Sequence, residues 1–108
     1  MKAAVLALSL ALALSGVALA DTTAVQDLRR GMPATVEGEV ERITDDDEFV
    51  LADQTGSILV YIGPSPMPVR VGDRVRVAGA VDDDGPLELY ATEVTLPDGR
   101  VGPLPNRD

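Results

Sequence analysis

Two short runs of carboxylates, Asp45-Asp46-Asp47-Glu48 and Asp82-Asp83-Asp84, hold most of the chemical potential of this chain. Carboxylate oxygens are hard donors. Several of them on one rim suit a hard cation such as Ca²⁺, or the charged groups of a cationic peptide or an Arg/Lys-rich protein segment. Asp46, Asp47, Asp83 and Asp84 are the candidate metal ligands, and Glu37, Glu39, Leu59 and Tyr61 would extend the rim along neighbouring strands. Neither run has the fixed spacing and glycine of a dedicated calcium loop, so two solvated turns kept soluble by aspartate stand as the plain alternative.

Composition removes most other chemistry. The 108 residues contain no Cys and no His, and the only lysine is Lys2. Disulfides, thiolate nucleophiles, zinc sites of the usual ligands and imidazole-based triads are thereby excluded, as are Schiff-base and P-loop lysines beyond the leader. Carboxylate, hydroxyl, phenol and guanidinium remain. With so many acids on a small body, two carboxylates facing across a cleft are expected by chance, so glycosidase chemistry does not follow. The chain reads as no enzyme, with no cofactor. Its net charge of −9 disfavours nucleic acid and anionic membrane surfaces and favours cationic partners. Phe49, Tyr61 and Tyr90 are too few, on too acidic a body, for a single-strand binder that joins a positive groove to stacking aromatics.

Residues 1–20 carry an address. Lys2 precedes an Ala/Leu/Val run from Ala3 to Leu14, and Ala18-Leu19-Ala20 forms a small-x-small site before Asp21. The run is marginal for spanning ~30 Å of hydrocarbon, and Ser15 and Gly16 interrupt it where a cleavage region begins. A cleaved secretory signal follows. The expected product starts at Asp21, is periplasmic, and is not an integral membrane protein.

The elements that must position the carboxylates can be read in order. Thr23 to Gln26 has the form of a capping box, and Gly31 sits where a helix C-terminus wants positive φ, which predicts a short helix over 24–30. Ala34, Val36, Gly38 and Val40 alternate with polar residues, and Ile43 is out of phase, which predicts a strand bulged near Glu41 and Arg42. Phe49 and Leu51 point inward in the second strand. Ile58, Val60 and Ile62 do so in the third, leaving Val50, Ala52, Leu59 and Tyr61 outside. The prolines of Gly63 to Pro68 make a stiff connector. Val69 to Val81 reads as one bent strand with Arg70, Arg74 and Arg76 outside, and Leu87 to Leu96 as the last strand, bulged at Thr92 and Glu93. The predicted core is Val36, Val40, Leu51, Ile58, Val60, Val75, Val77 and Leu89.

Five strands, two of them bent, predict an all-β chain: a small five-stranded OB-fold-like barrel with a short N-terminal helix, residues 21–96, followed by a turn and flexible tail over 97–108. A five-strand sandwich or SH3-like barrel is the runner-up. Val36 to Val40, Leu51 to Ile58, Gly72 to Gly79 and Glu88 to Val94, in that order, resemble the bacterial periplasmic OB-fold family, stress-tolerance proteins of the YgiW/YdeI type. The resemblance spans about Thr22 to Leu96. It implies a periplasmic barrel contributing to envelope stress tolerance and brings no catalytic residues; the Pro-rich connector and the Pro/Gly tail depart from the family pattern. In an OB-fold the loops after the first and fourth strands flank one binding face, which would bring both acidic runs to one rim. The expected function is therefore a binding module for a cationic peptide, protein segment or metal ion. The alternative is a structural protein that supports an envelope partner without a small ligand.

Overall fold

The apolar alternation of the sequence becomes six strands, β1 (Pro33–Asp45), β2 (Glu48–Asp53), β3 (Gly56–Tyr61), β4 (Arg74–Val81), β5 (Glu88–Thr95) and β6 (Val101–Pro103). The computed structural model describes residues 22–103. The predicted leader, its cleavage point before Asp21, and residues 104–108 lie outside the described residues. β1 pairs antiparallel with both β2 and β4, β2 with β3, and β4 with β5, while a parallel pairing of β3 with β5 closes the first five strands into a barrel. β6 adds an outer strand to β5.

Every residue of the predicted core is buried, joined by Phe49, Ile62, Val69, Val81 and Val94. Bending comes from the predicted irregularities. The β1–β2 register slips between Val40 and Arg42, making Glu41 the extra residue. Ala78 pairs with Glu93 but Gly79 with Ala91, so Thr92 is the bulge in β5. Two glycines let neighbouring backbones approach closely: a Cβ at Gly38 would drive into the Ala52 carbonyl, and one at Gly79 into that of Tyr90.

Several expectations are corrected. The N-terminal helix reduces to a 3-10 turn, Val25–Asp27, with Ala24 extended before it and no side-chain cap. Its amides are satisfied from another element instead: Val25 N–H donates to Asp53 Oδ2 (2.9 Å) and Gln26 N–H to Thr55 Oγ1 (3.0 Å), so Thr23 has no capping role. Val25 and Leu28 still bury their side chains against the barrel. The strand predicted over Val69 to Val81 begins only at Arg74. Gly72, at φ +95, and the Asp73 carboxylate, accepting from Arg70 N–H (2.9 Å), form a turn that is hydrogen-bonded to Val40 and leaves Val71 62% exposed. Ile43 is exposed despite the bulge, because the pairing of β1 with β4 ends at Glu39 and its last residues face β2 alone. Leu87 precedes β5 and is exposed. Gly102 and Pro103, predicted as loose tail, pair with Val94 and Glu93.

Candidate functional site

The two acidic runs sit where barrel connectivity sends them, in the β1–β2 turn and the β4–β5 loop. Within the first, Asp45, Asp47 and Glu48 can bring one carboxylate oxygen each to within 4.8 Å of one another, and Asp82, Asp83 and Asp84 do the same in the second. Asp46 stands outside the first trio, and its amide donates to Asp45 Oδ1 (2.7 Å). The β4–β5 loop is braced by Arg30, whose guanidinium donates twice to the Gly85 carbonyl (2.8 and 3.1 Å).

Glu88, which sequence reasoning passed over, links the runs electrostatically. Burial pushes its carboxyl above the ordinary value, and the negative charges of Glu48, Asp82 and Asp47 push it further. One residue of β5 thus feels both loops. Tyr90, two positions on and therefore on the same face, also has a raised pKa, from burial first and then from Asp82, Glu88, its hydrogen bond to Asp82 and Asp84. Its hydroxyl donates to Asp82 Oδ2 at 3.5 Å.

The apolar patch predicted outside β2 and β3 does adjoin this rim. Tyr61 lies opposite Glu48 of β2 and opposite Tyr90 of β5, and Leu59 lies opposite Val50 and Glu88. The Tyr61 and Tyr90 rings stand 5.6 Å apart between centroids, tilted by 55°. Val50, predicted as part of the exposed patch, is only 6% exposed because its register neighbours are the longer side chains of Arg42 and Leu59.

Glu37 and Glu39 lie elsewhere. They pair in register with Arg76 and Arg74 of β4, and the Glu37 carboxylate meets Arg76 at 3.6 Å and Arg74 at 3.9 Å. Glu37, Glu39 and Arg74 line, with Glu41, Asp53 and Val71, an open groove of about 800 Å³ that includes no residue of the two acidic loops. A second depression, of about 720 Å³, runs between Ile43 to Asp46 and the connector Pro64 to Met67. The one signal for Glu88 and Tyr90 in the sequence was their outward phase in the last strand. Their partners became visible only through the β3–β5 closure.

No protein-family model and no curated protein matches the chain. Among solved structures, the hypothetical protein YgiW from E. coli is similar at 26% identity and a TM-score of 0.56, over 71% of this chain and 90% of that one. The OBody AM1L10, solved bound to hen egg-white lysozyme, is similar at 17% identity and a TM-score of 0.61, over 75% of this chain and 97% of that one. The likenesses agree with the barrel described above.

Proposed function

We propose that this chain, which folds as an OB barrel of the YgiW type, is a non-enzymatic periplasmic binding module that takes a cationic ligand at the rim made by its two acidic loops and contributes in this way to tolerance of envelope stress. The observation that carries the reading is the placement of the two carboxylate trios, Asp45, Asp47 and Glu48 in the β1–β2 turn and Asp82 to Asp84 in the β4–β5 loop; Glu88, whose carboxyl is raised by burial and then by charges from both loops, agrees with it. Carboxylates held in mutual repulsion without an internal cation gain free energy when one arrives from outside. Among the described residues, no ion pair reaches Asp45 to Glu48, Asp82 to Asp84 or Glu88. The absence of His and Cys from the sequence supports binding over catalysis.

A cationic peptide, an Arg/Lys-rich protein segment and Ca²⁺ all fit the charge of this rim. Titration calorimetry of the exported protein and of a variant carrying Asp46→Asn, Asp47→Asn, Asp83→Asn and Asp84→Asn, against an Arg-rich peptide and against Ca²⁺, tests the reading. The variant should bind less tightly, and added salt should remove much of the peptide effect, since exposed charges are screened beyond ~10 Å at 0.1 M. Equal, weak heats for both proteins would reduce the loops to solvated turns.

A further inference from the structure

We infer that the outer face of β3 and β5, centred on Tyr61 and Tyr90, seats the guanidinium of an arginine carried by an extended cationic segment. The inference rests on the cation-binding reading above and names the side chain and the surface it would use. Three strands build the face: Glu48 of β2, Tyr61 of β3 and Tyr90 of β5 stand in register across the sheet, with Leu59 and Glu88 in the adjoining row. Side chains two apart on a strand share a face, so Glu88 and Tyr90 project together, and so do Leu59 and Tyr61. Tyr90 is 45% exposed, so this part of the face remains open to a partner. Asp82 borders it through the 3.5 Å contact with the Tyr90 hydroxyl.

The cation has to come from another molecule. Five of the chain's guanidiniums are committed elsewhere: Arg74 and Arg76 to Glu37, Arg42 to Glu41, Arg30 to the Gly85 carbonyl and Arg100 to Asp98. Among the described residues none forms an ion pair with Glu48, Glu88 or Asp82.

The chemistry of the face selects among cations. A guanidinium lays its plane on an aromatic ring while its N–H groups reach carboxylates at the edge, which uses both kinds of group present. An ammonium is a compact, strongly hydrated charge that gains less from the rings, and a quaternary ammonium has no N–H for the carboxylates. Ca²⁺ takes oxygen ligands and has no use for the rings. The raised pKa values of Glu88 and Tyr90, each from burial and then from neighbouring negative charge, agree with a face that gains from an added positive group.

The test has a built-in reporter. Tyr61 and Tyr90 are the only tyrosines and there is no tryptophan, so intrinsic tyrosine emission comes from this face alone. The exported protein would be titrated with an Arg-rich peptide, a Lys-rich peptide of equal length and charge, and Ca²⁺, the peptides lacking aromatic residues. The Arg peptide should change tyrosine emission and bind about fivefold tighter than the Lys peptide, the scale of a cation–π contact near 1 kcal/mol. In calorimetry Tyr90→Leu should abolish that preference, while Tyr90→Phe, which keeps the ring, should retain it. Equal affinity of the wild type for both peptides, with emission unmoved, overturns this inference and leaves the acidic rim standing. Failure of the wild type to bind either peptide or Ca²⁺ overturns both. The wild-type comparison needs no substitution, so a poorly folding Tyr90→Leu would not shield the idea.

Discussion

Asp53 and Glu88 are both carboxylates at the ends of barrel strands, and the fold treats them in opposite ways. Burial pushes Asp53 up, but bonds from the Thr55 hydroxyl and the amides of Val25, Thr55 and Gly56 outweigh it, and its pKa is lowered overall. Four short hydrogen bonds, of 2.6 to 3.1 Å, converge on it. Glu88 has burial and three negative neighbours, and its pKa is raised. One carboxylate fastens the N-terminal segment to the β2–β3 turn. The other stands among like charges. A count of acids gives the net charge of this protein, whereas the donors around each acid decide whether it stabilises the fold or waits for a ligand.

The largest expected effect tests the backbone beneath both regions. Gly79→Ala would press a Cβ onto the Tyr90 carbonyl at the β5 bulge, and Gly38→Ala would do so against Ala52, beside Asp53. Each should lower stability in urea unfolding by about 3 kcal/mol, the upper range for overpacking. Gly79→Ala should also displace Tyr90 and disturb tyrosine emission, while the folded fraction of Gly38→Ala should keep wild-type emission. If both variants unfold like the wild type, the close approaches do not exist.

Asp53→Ala comes next, at about 1 to 2 kcal/mol, by analogy with loss of a capping side chain that holds several amides. Because the folded pKa of Asp53 is lowered, its contribution is fully present above the unfolded value and disappears as pH falls through the folded one. The gap between wild type and variant, measured by urea unfolding, should therefore close in acid. A gap that persisted there would mean that packing, not charge, carries the effect.

Glu88→Gln should move the other way. A raised carboxyl costs stability above its folded pKa, and the cost vanishes as pH falls below the unfolded value. The variant should be more stable than wild type at neutral pH and low salt and match it in acid, while binding the Arg-rich peptide less tightly. Loss of stability at neutral pH would place a favourable partner on Glu88 and undo the contrast with Asp53. The smallest effect belongs to the Glu37 pair with Arg74 and Arg76, all solvent-exposed: Glu37→Gln should change stability by about 0.5 kcal/mol or less and leave peptide affinity within error.

The acids illustrate what was legible beforehand. The Asp53 turn was readable, because Asp-x-Thr-Gly is a local pattern in which the carboxylate bonds its own following amides. Its reach to Val25, 28 residues away, was not. The capping-box pattern of Thr23 to Gln26 predicted a helix that a local rule would allow. A turn held from outside by Asp53 and Thr55 replaced it, since seven residues make too short a helix to persist on its own amides. Glu37 and Glu39 looked like part of the acidic rim, yet the β1–β4 register sets them against Arg76 and Arg74. Tyr90 and Glu88 were visible only as outward positions until β3 and β5 met.

By itself the sequence determined that an all-β barrel forms and which side chains fill it, because alternation along a strand and the placement of Gly and Asp in turns are local properties. It also determined what chemistry is missing, since no fold can supply an imidazole or a thiol that the chain lacks. Tertiary structure alone decided which charges meet. Strand register and barrel closure join residues far apart in the chain, and the sign of a carboxylate's contribution depends on the donors and charges within a few ångströms of it, which no short window of sequence contains.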